Sequence, residues 1–519
     1  LPHKARIISN CSWRGRIALF SVNENIIMDF LGTFDMPRHA DIARINLFLR
    51  YWLGMEIRIL GCKRDVEGAF RRKYVAPESF GTLATEVNGH TILEVTFIFG
   101  SVNAPAVYNY SGKAIHQAHN NCSWILDWAV GQLKKGDSVP CKSITYCDDG
   151  VLQSPDIQKA LDTSAKSYEL AMEACLGDST GIGGSAVSTK DTEEMSWEEE
   201  HTTMGHPCNF NRGFFRPGEA KWNLLSVKVN KPCWSRRAEN EPNTLTAADV
   251  YTTFGVGLWV AGVSPLLLPY IMELKRPLEG SDGTIKPEDL VSPQRGQEDE
   301  TDSWAELWNA VEFLRMVLEH YQATSPQMKR ATWHLLPAIE QLLLPGALEA
   351  VRVTTKDACK LGFGGFCFEG PGYFWRRPMP EWAIKEFTRV MAEGHSHKYS
   401  DAITIAILES VATVVNQILW GGGPLQQDGR VDPKALVDLE NQSSSEENLG
   451  LWIQSDNEDD VAWFTKHKAA PRRASHLIRT ADFLRLQRGN HLIITYINTK
   501  ANLLADIISR SYRMEGTMA

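Results

Sequence analysis

The run Tyr146-Cys147-Asp148-Asp149-Gly150 follows a β-prone stretch, Ser143-Ile144-Thr145, and sets two carboxylates side by side. Like charges held this close are unfavourable unless something offsets them. In a strand, successive side chains point to opposite faces. Bringing both acids to one place therefore requires a tight turn, and Gly150 is suited to supply it. The pattern predicts a β-hairpin with acids at its tip. Two readings of that tip are open: a metal-holding site, or an ordinary solvated Asp-Asp-Gly turn.

Two further segments bear on that choice. Lys63-Arg64-Asp65-Val66-Glu67-Gly68-Ala69-Phe70 sets an acid beside an apolar residue, with an aromatic five positions on. Phe97-Ile98-Phe99-Gly100-Ser101-Val102-Asn103-Ala104-Pro105 lies between it and the hairpin. In this order the three segments resemble the palm motifs of reverse transcriptases. The opening His3-Lys4-Ala5-Arg6-Ile7-Ile8-Ser9-Asn10, followed by Ser21-Val22-Asn23, is similar to the fingers sequence of Ty3-like and DIRS-like retroelements, the DIRS-like group more closely.

The resemblance implies a right-hand polymerase in which Asp65, Asp148 and Asp149 hold two Mg²⁺ ions roughly 3.5–4 Å apart, with Mn²⁺ as a substitute. Mg²⁺ prefers oxygen ligands and is commonly shared with substrate phosphates. Lys4 and Arg6 stand at the family's triphosphate-binding positions, although as residues they read equally as solvated charges. Phe70 would collide with a 2′-hydroxyl and so favour deoxynucleotides; without the resemblance it reads as a core aromatic beside a strand. Gly100 would shape the backbone facing the templating base pair. Lys190 stands at the palm lysine near the pyrophosphate, and Thr203-Met204-Gly205-His206 at the primer-grip turn.

The second half carries its own acids. Thr354-Thr355-Lys356-Asp357-Ala358, then Gly362-Phe363-Gly364-Gly365 and Phe366-Cys367-Phe368, reads as a strand ending in an acid and turning into a second strand; Tyr373-Phe374-Trp375 continues as a third. Glu409 interrupts the apolar run Ala402–Val415. A buried carboxylate needs a partner such as a metal; alternatively the helix has a narrow wet stripe. Asp456 follows Leu451-Trp452-Ile453, and Asp506 lies within Asn502-Leu503-Leu504-Ala505-Asp506-Ile507-Ile508-Ser509-Arg510. The order Asp357, Glu409, Asp456, Asp506 resembles ribonuclease H, and the last segment is similar to the ending of retroelement ribonuclease H domains. That likeness implies a second pair of Mg²⁺ ions and a water directed at an RNA phosphodiester. Tyr496-Ile497-Asn498-Thr499-Lys500 stands where cellular relatives have a histidine loop, so no catalytic histidine is assigned.

A chain of 519 residues with 43% hydrophobic content can build several cores. Alternating strand and helix signals predict a mixed α+β and α/β multidomain protein. The expected parts are 1–220 as fingers and palm, 221–345 as a helical thumb or connection, and 346–519 as a ribonuclease H-like domain. A flexible insertion is expected near 279–302. Glu193–Glu200 reads as a solvent-facing acidic insertion. Phe254–Met272 is uncharged, but its prolines and glycines predict a pair of short buried helices and no membrane span. The net charge of −9 opposes phosphate binding overall. Local basic groups matter more: Arg64, Arg71, Arg72 and Lys73 beside Asp65, and Lys466, Lys468, Arg472, Arg473 and Arg479. Ten cysteines without a Cys-x-x-Cys pair indicate reduced thiols, hence cytoplasm, nucleus or both. No signal peptide is seen, and Leu1-Pro2 suggests a fragment lacking the first palm strand.

The expected activity is RNA- and DNA-templated DNA synthesis joined to removal of the RNA strand of hybrids, with template-primer and deoxynucleoside triphosphates as partners. Sequence does not set the oligomeric state. The rival reading is a decayed or domesticated copy that binds nucleic acid without catalysis.

Overall fold

A computed structural model of the protein describes residues 37–78, 84–87, 90–93, 95–97, 104–146, 148–177, 184–188, 196–236, 242–278, 285–292, 300–342, 351–369, 372–393, 403–421, 450–469, 471–488 and 491–511. Lys4, Arg6, Gly100 and Lys190 lie outside them. The chain divides into two compact units, one running to Phe215 and including Ala331–Leu336, the other made of Arg216–Arg330 and the residues from Pro337 onward. Both mix helix and sheet.

In the first unit, helix α1 (His39–Leu53) precedes strand β1 (Ile59–Asp65), and helix α2 (Ala104–Asn120) precedes the hairpin of β2 (Lys142–Tyr146) and β3 (Asp149–Pro155). Strand β3 is central, antiparallel to both neighbours, in the order β1-β3-β2. Helix α3 (Ala160–Leu176) packs with α2 against the sheet around Cys62, Val66, Ile115, Leu152, Tyr168 and Met172. Phe70 belongs to this core: it is buried, edge-on to the Tyr108 ring at 5.8 Å.

The hairpin forms, but Gly150 does not make its turn. It sits inside β3, paired with Arg64 and Thr145. A Cβ there would fall 2.2 Å from the Tyr168 hydroxyl. The glycine is needed because the Tyr168 ring packs against the strand at this point, its hydroxyl 2.9 Å from Thr145 Oγ1.

Strands β4 (Glu200–Thr203) and β5 (His206–Asn209) make a second hairpin. Its two central residues both have positive φ, 48° at Met204 and 84° at Gly205, as a type I′ turn requires. The acidic run before it is not wholly solvated, since Glu198 and Gly61 exchange backbone hydrogen bonds of 2.8 and 3.0 Å.

The second unit begins with helices α4 (Glu219–Val229), α5 (Ala247–Ala261), α6 (Leu268–Leu274) and α7 (Glu300–His320), packed around Trp222, Leu225, Trp234, Ile271, Leu307 and Leu314. The apolar run becomes α5 and α6, separated by a 3₁₀ turn that Pro265 opens. No helix among the described residues is long and apolar enough to cross a membrane.

A five-stranded sheet follows. Strands β6 (Val351–Cys359), β7 (Gly362–Cys367) and β8 (Tyr373–Pro378) form an antiparallel meander. After helices α8 (Glu381–Glu393) and α9 (Ile405–Trp420), strand β9 (Gly450–Ser455) pairs parallel with β6. Helices α10 (Glu458–Lys466) and α11 (Arg472–Arg488) then lead to β10 (Leu492–Tyr496), parallel to β9, and to α12 (Leu503–Arg510). The order is β8-β7-β6-β9-β10.

Side chains alternate across β6. Thr354 and Lys356 reach Asn416 and Glu409 of α9, whereas Thr355 and Asp357 reach Asn502 and Ser509 at α12. Helix α12 lies so close to β7 that a Cβ at Gly364 would sit 2.6 Å from Ile508 Cγ2 and 2.8 Å from the Ser509 nitrogen.

Candidate active site

Three of the four second-half acids converge where β6 and β9 run side by side. Asp357 lies near the end of β6, and Asp456 directly follows β9, just before Asn457. The Asn457 side chain caps α10 by accepting the Asp460 N–H at 3.0 Å. Glu409 comes from the first half of α9, whose start is fixed by Thr404 Oγ1 accepting the Ile407 N–H at 3.4 Å. One oxygen from each of Asp357, Glu409 and Asp456 lies within 4.8 Å of the others, the only such trio of potential ligands among the described residues. They line a cavity of about 470 Å³ together with Lys360, Asn457, Thr499 and Arg510.

Asp506 stands apart from the trio. Its carboxylate pairs with Arg510 one turn along α12, at 2.5 Å, while its charge still bears on Asp357.

Burial dominates the electrostatics. It pushes Asp357 up to about 6, helped by the negative charges of Asp456 and Asp506 and opposed by the Ser509 hydroxyl, which donates to Asp357. Glu409 is pushed up to about 8 by burial and by Asp357, against the opposing pull of Lys356 and the Ala358 N–H. A raised carboxyl pKa means that the native state holds protons the unfolded chain has released. Stability contributed by these groups therefore falls as pH rises from 4.5 to about 8 for Glu409 and from 3.8 to about 6 for Asp357. A divalent ion needs the deprotonated ligands. Relative to a Glu409→Gln, Asp357→Asn variant, which cancels the titration of the buried histidines common to both, thermal melting of the metal-free protein is thus expected to drop across this window, and the rise in melting temperature on adding Mg²⁺ to grow across it. A gain independent of pH would show that Mg²⁺ does not engage these carboxylates.

The first-half acids meet differently. Asp65 and Asp149 are directly opposite in the β1–β3 ladder, and the Val66 N–H donates to the Asp148 carbonyl at 3.3 Å across the same end. Asp148 occupies the turn. The three share one end of the sheet but do not form a trio with oxygens within 4.8 Å.

Several basic residues beside these acids have other work. Arg64 is buried and pairs with Glu169 at 3.1 Å; Arg72 donates to the carbonyls of Glu67, Leu176, Gly184 and Ser185. In the second unit Arg472 and Arg479 pair with Glu306, and Arg473 with Glu386. Arg71, Lys466 and Lys468 stay exposed.

Sequence reasoning missed Lys356 and Asp460. Glu409 has a partner, as a buried carboxylate must, and does not lie on a wet stripe: Lys356 Nζ lies 2.7 Å from Glu409 Oε2, and the Ala358 N–H donates to Oε1 at 2.8 Å. The available signal was parity, because Lys356 shares the α9 side of β6 with Thr354.

No protein-family model matches this chain, and no curated protein matches it. Among solved structures it is similar to the foamy viral protease-reverse transcriptase in complex with double-stranded DNA, at 11% identity and a TM-score of 0.37, over 92% of this chain and 62% of that one. The same viral protein in complex with RNA/DNA hybrid is matched at 11% identity and a TM-score of 0.33, over 92% of this chain and 69% of that one. The chain thus spans less than two thirds of the first of these, and the chemistry of its sites rests on its own residues.

Proposed function

We propose that the protein is a reverse transcriptase with ribonuclease H activity, of the kind that serves retrotransposon replication: one unit copies RNA and DNA into DNA, and the other cuts the RNA strand of the hybrid. The observation that carries the reading is the convergence of Asp357, Glu409 and Asp456 at the paired ends of β6 and β9. The meeting of Asp65 with Asp149 beside Asp148 supports its polymerase half.

An all-carboxylate donor set suits a hard cation such as Mg²⁺ and offers nothing to a soft metal. Asp357, Glu409 and Asp456, with Asp506 nearby, would hold ions in the second unit, and Asp65, Asp148 and Asp149 in the first. When bound, such ions supply Lewis acidity and a water or hydroxyl of lowered pKa. The protein's own part is positioning. Ser509 fixes the Asp357 carboxylate, the Ala358 N–H and Lys356 fix Glu409, and the Asn457 cap fixes the turn that carries Asp456.

A catalytically decayed copy is favoured by two observations, the Asp506–Arg510 pair and the looser set in the first unit. Primer extension on an RNA template with deoxynucleotides, and cleavage of a labelled RNA–DNA hybrid, separate the readings. Both activities are expected with Mg²⁺ and neither with a chelator. Hybrid binding without turnover in either metal, Mg²⁺ or Mn²⁺, would establish the decayed copy instead.

A further inference from the structure

Lys356 is outside everything the acid pattern demands, yet it is fully buried in the central strand. Its ammonium lies 2.7 Å from Glu409 Oε2 and 2.7 Å from Asp460 Oδ2. Asp460 is fully buried too, and is itself tied down: Ser410 Oγ donates to its Oδ1 at 2.8 Å and Thr413 Oγ1 to its Oδ2 at 3.0 Å. The result is a chain of three linked groups, the Asp460 carboxylate, the Lys356 ammonium and the Glu409 carboxyl, running from the first turn of α10 through β6 to the cavity wall.

We infer that Lys356 is a positioning residue for the metal-binding carboxylates: anchored by Asp460, its ammonium holds the inner edge of Glu409 and aims that side chain at Asp357 and Asp456. The inference rests on the nuclease reading above. On α9 the neighbours three residues either side of Glu409, Ala406 and Ala412, offer a carboxylate no hydrogen bond, and the nearby hydroxyls of Ser410 and Thr413 are given to Asp460. The orientation of Glu409 is set by two donors, the Ala358 N–H on Oε1 and Lys356 Nζ on Oε2. Two fixed points define the carboxylate plane, and each oxygen keeps a lone pair for an ion. Removing one donor leaves the plane free to rotate. Partners that orient a metal ligand typically contribute about 10- to 100-fold to metal affinity or activity.

A blander role, in which Lys356 merely neutralises Asp460, makes a different prediction. The test uses the full chain and follows three quantities: Mn²⁺ affinity at the site abolished by Glu409→Gln, hybrid cleavage against Mg²⁺ concentration, and thermal melting. Lys356→Met is expected to lower the melting temperature and to weaken that Mn²⁺ site by about 10- to 100-fold. Lys356→Met combined with Asp460→Asn removes one of the two carboxylates left without their cation, so melting should recover in part while Mn²⁺ affinity stays low. Recovery of affinity to within about twofold of the unmodified protein would overturn the inference, leaving Lys356 as a counter-ion only. If Lys356→Met fails to fold, the double variant decides alone. Normal Mn²⁺ binding without hybrid cleavage in the unmodified protein sinks the nuclease reading, while the affinities still judge Lys356. Absence of any Mn²⁺ site sensitive to Glu409→Gln sinks both.

Discussion

Asp456→Asn is expected to reduce hybrid cleavage roughly 1000-fold, about 4 kcal/mol of transition-state stabilisation, while leaving primer extension at its original rate. The loss is set at the upper end of what one preorganised charge supplies, because the aspartate contributes one of three carboxylate oxygens gathered within 4.8 Å of one another. Asparagine keeps the shape but halves the acceptor capacity and removes the charge. Asp456 is the cleanest of the three to change. It is half-buried and accepts no hydrogen bond and forms no ion pair among the described residues. Glu409→Gln would also unpair Lys356, and Asp357→Asn would disturb Ser509. Melting temperature should therefore be unchanged, or slightly higher without metal, since one of several crowded negative charges is gone. Cleavage within about tenfold of the original would show that the trio is not the catalytic centre.

What could be read from the chain beforehand depended on how local the determining interaction was. Strand β6, its turn into β7 and the apolar helix around Glu409 are written in short-range pattern: alternation, paired glycines, a helix-length apolar run. The hairpin at Tyr146–Asp149 is equally local. The role of Gly150 was misjudged because it is set by Tyr168, which only the packing of α3 brings against the strand. The basic clusters misled for the same reason. Arg64 and Arg479 look like phosphate contacts until the fold delivers Glu169 and Glu306. Lys356 is the sharpest case, since a lysine in a strand next to an acid reads as an exposed charge unless the facing helix is known to bring Glu409 and a second acid, Asp460. The Asp506–Arg510 pair, by contrast, has the i, i+4 helical spacing and was open to inspection. Distant carboxylates can be ordered from sequence; what neutralises each of them is a property of the folded core.

Asp148→Asn is expected to do the reverse of Asp456→Asn, lowering primer extension on an RNA template by roughly 1000-fold with hybrid cleavage intact. Asp148 stands at the turn beside the facing pair Asp65 and Asp149. Opposed like charges in a ladder destabilise it, and a third carboxylate at the same sheet end adds to that cost unless cations gather there; these acids make no trio with oxygens within 4.8 Å. Removing Asp148 relieves part of that repulsion, and melting of the metal-free protein should rise or hold while extension falls. This opposition of stability and activity distinguishes a binding carboxylate from a scaffold residue, whose loss lowers both. If extension persists at the original rate, the tip of the hairpin is an ordinary solvated turn, and the polymerase reading of the first unit falls while the nuclease reading of the second is untouched.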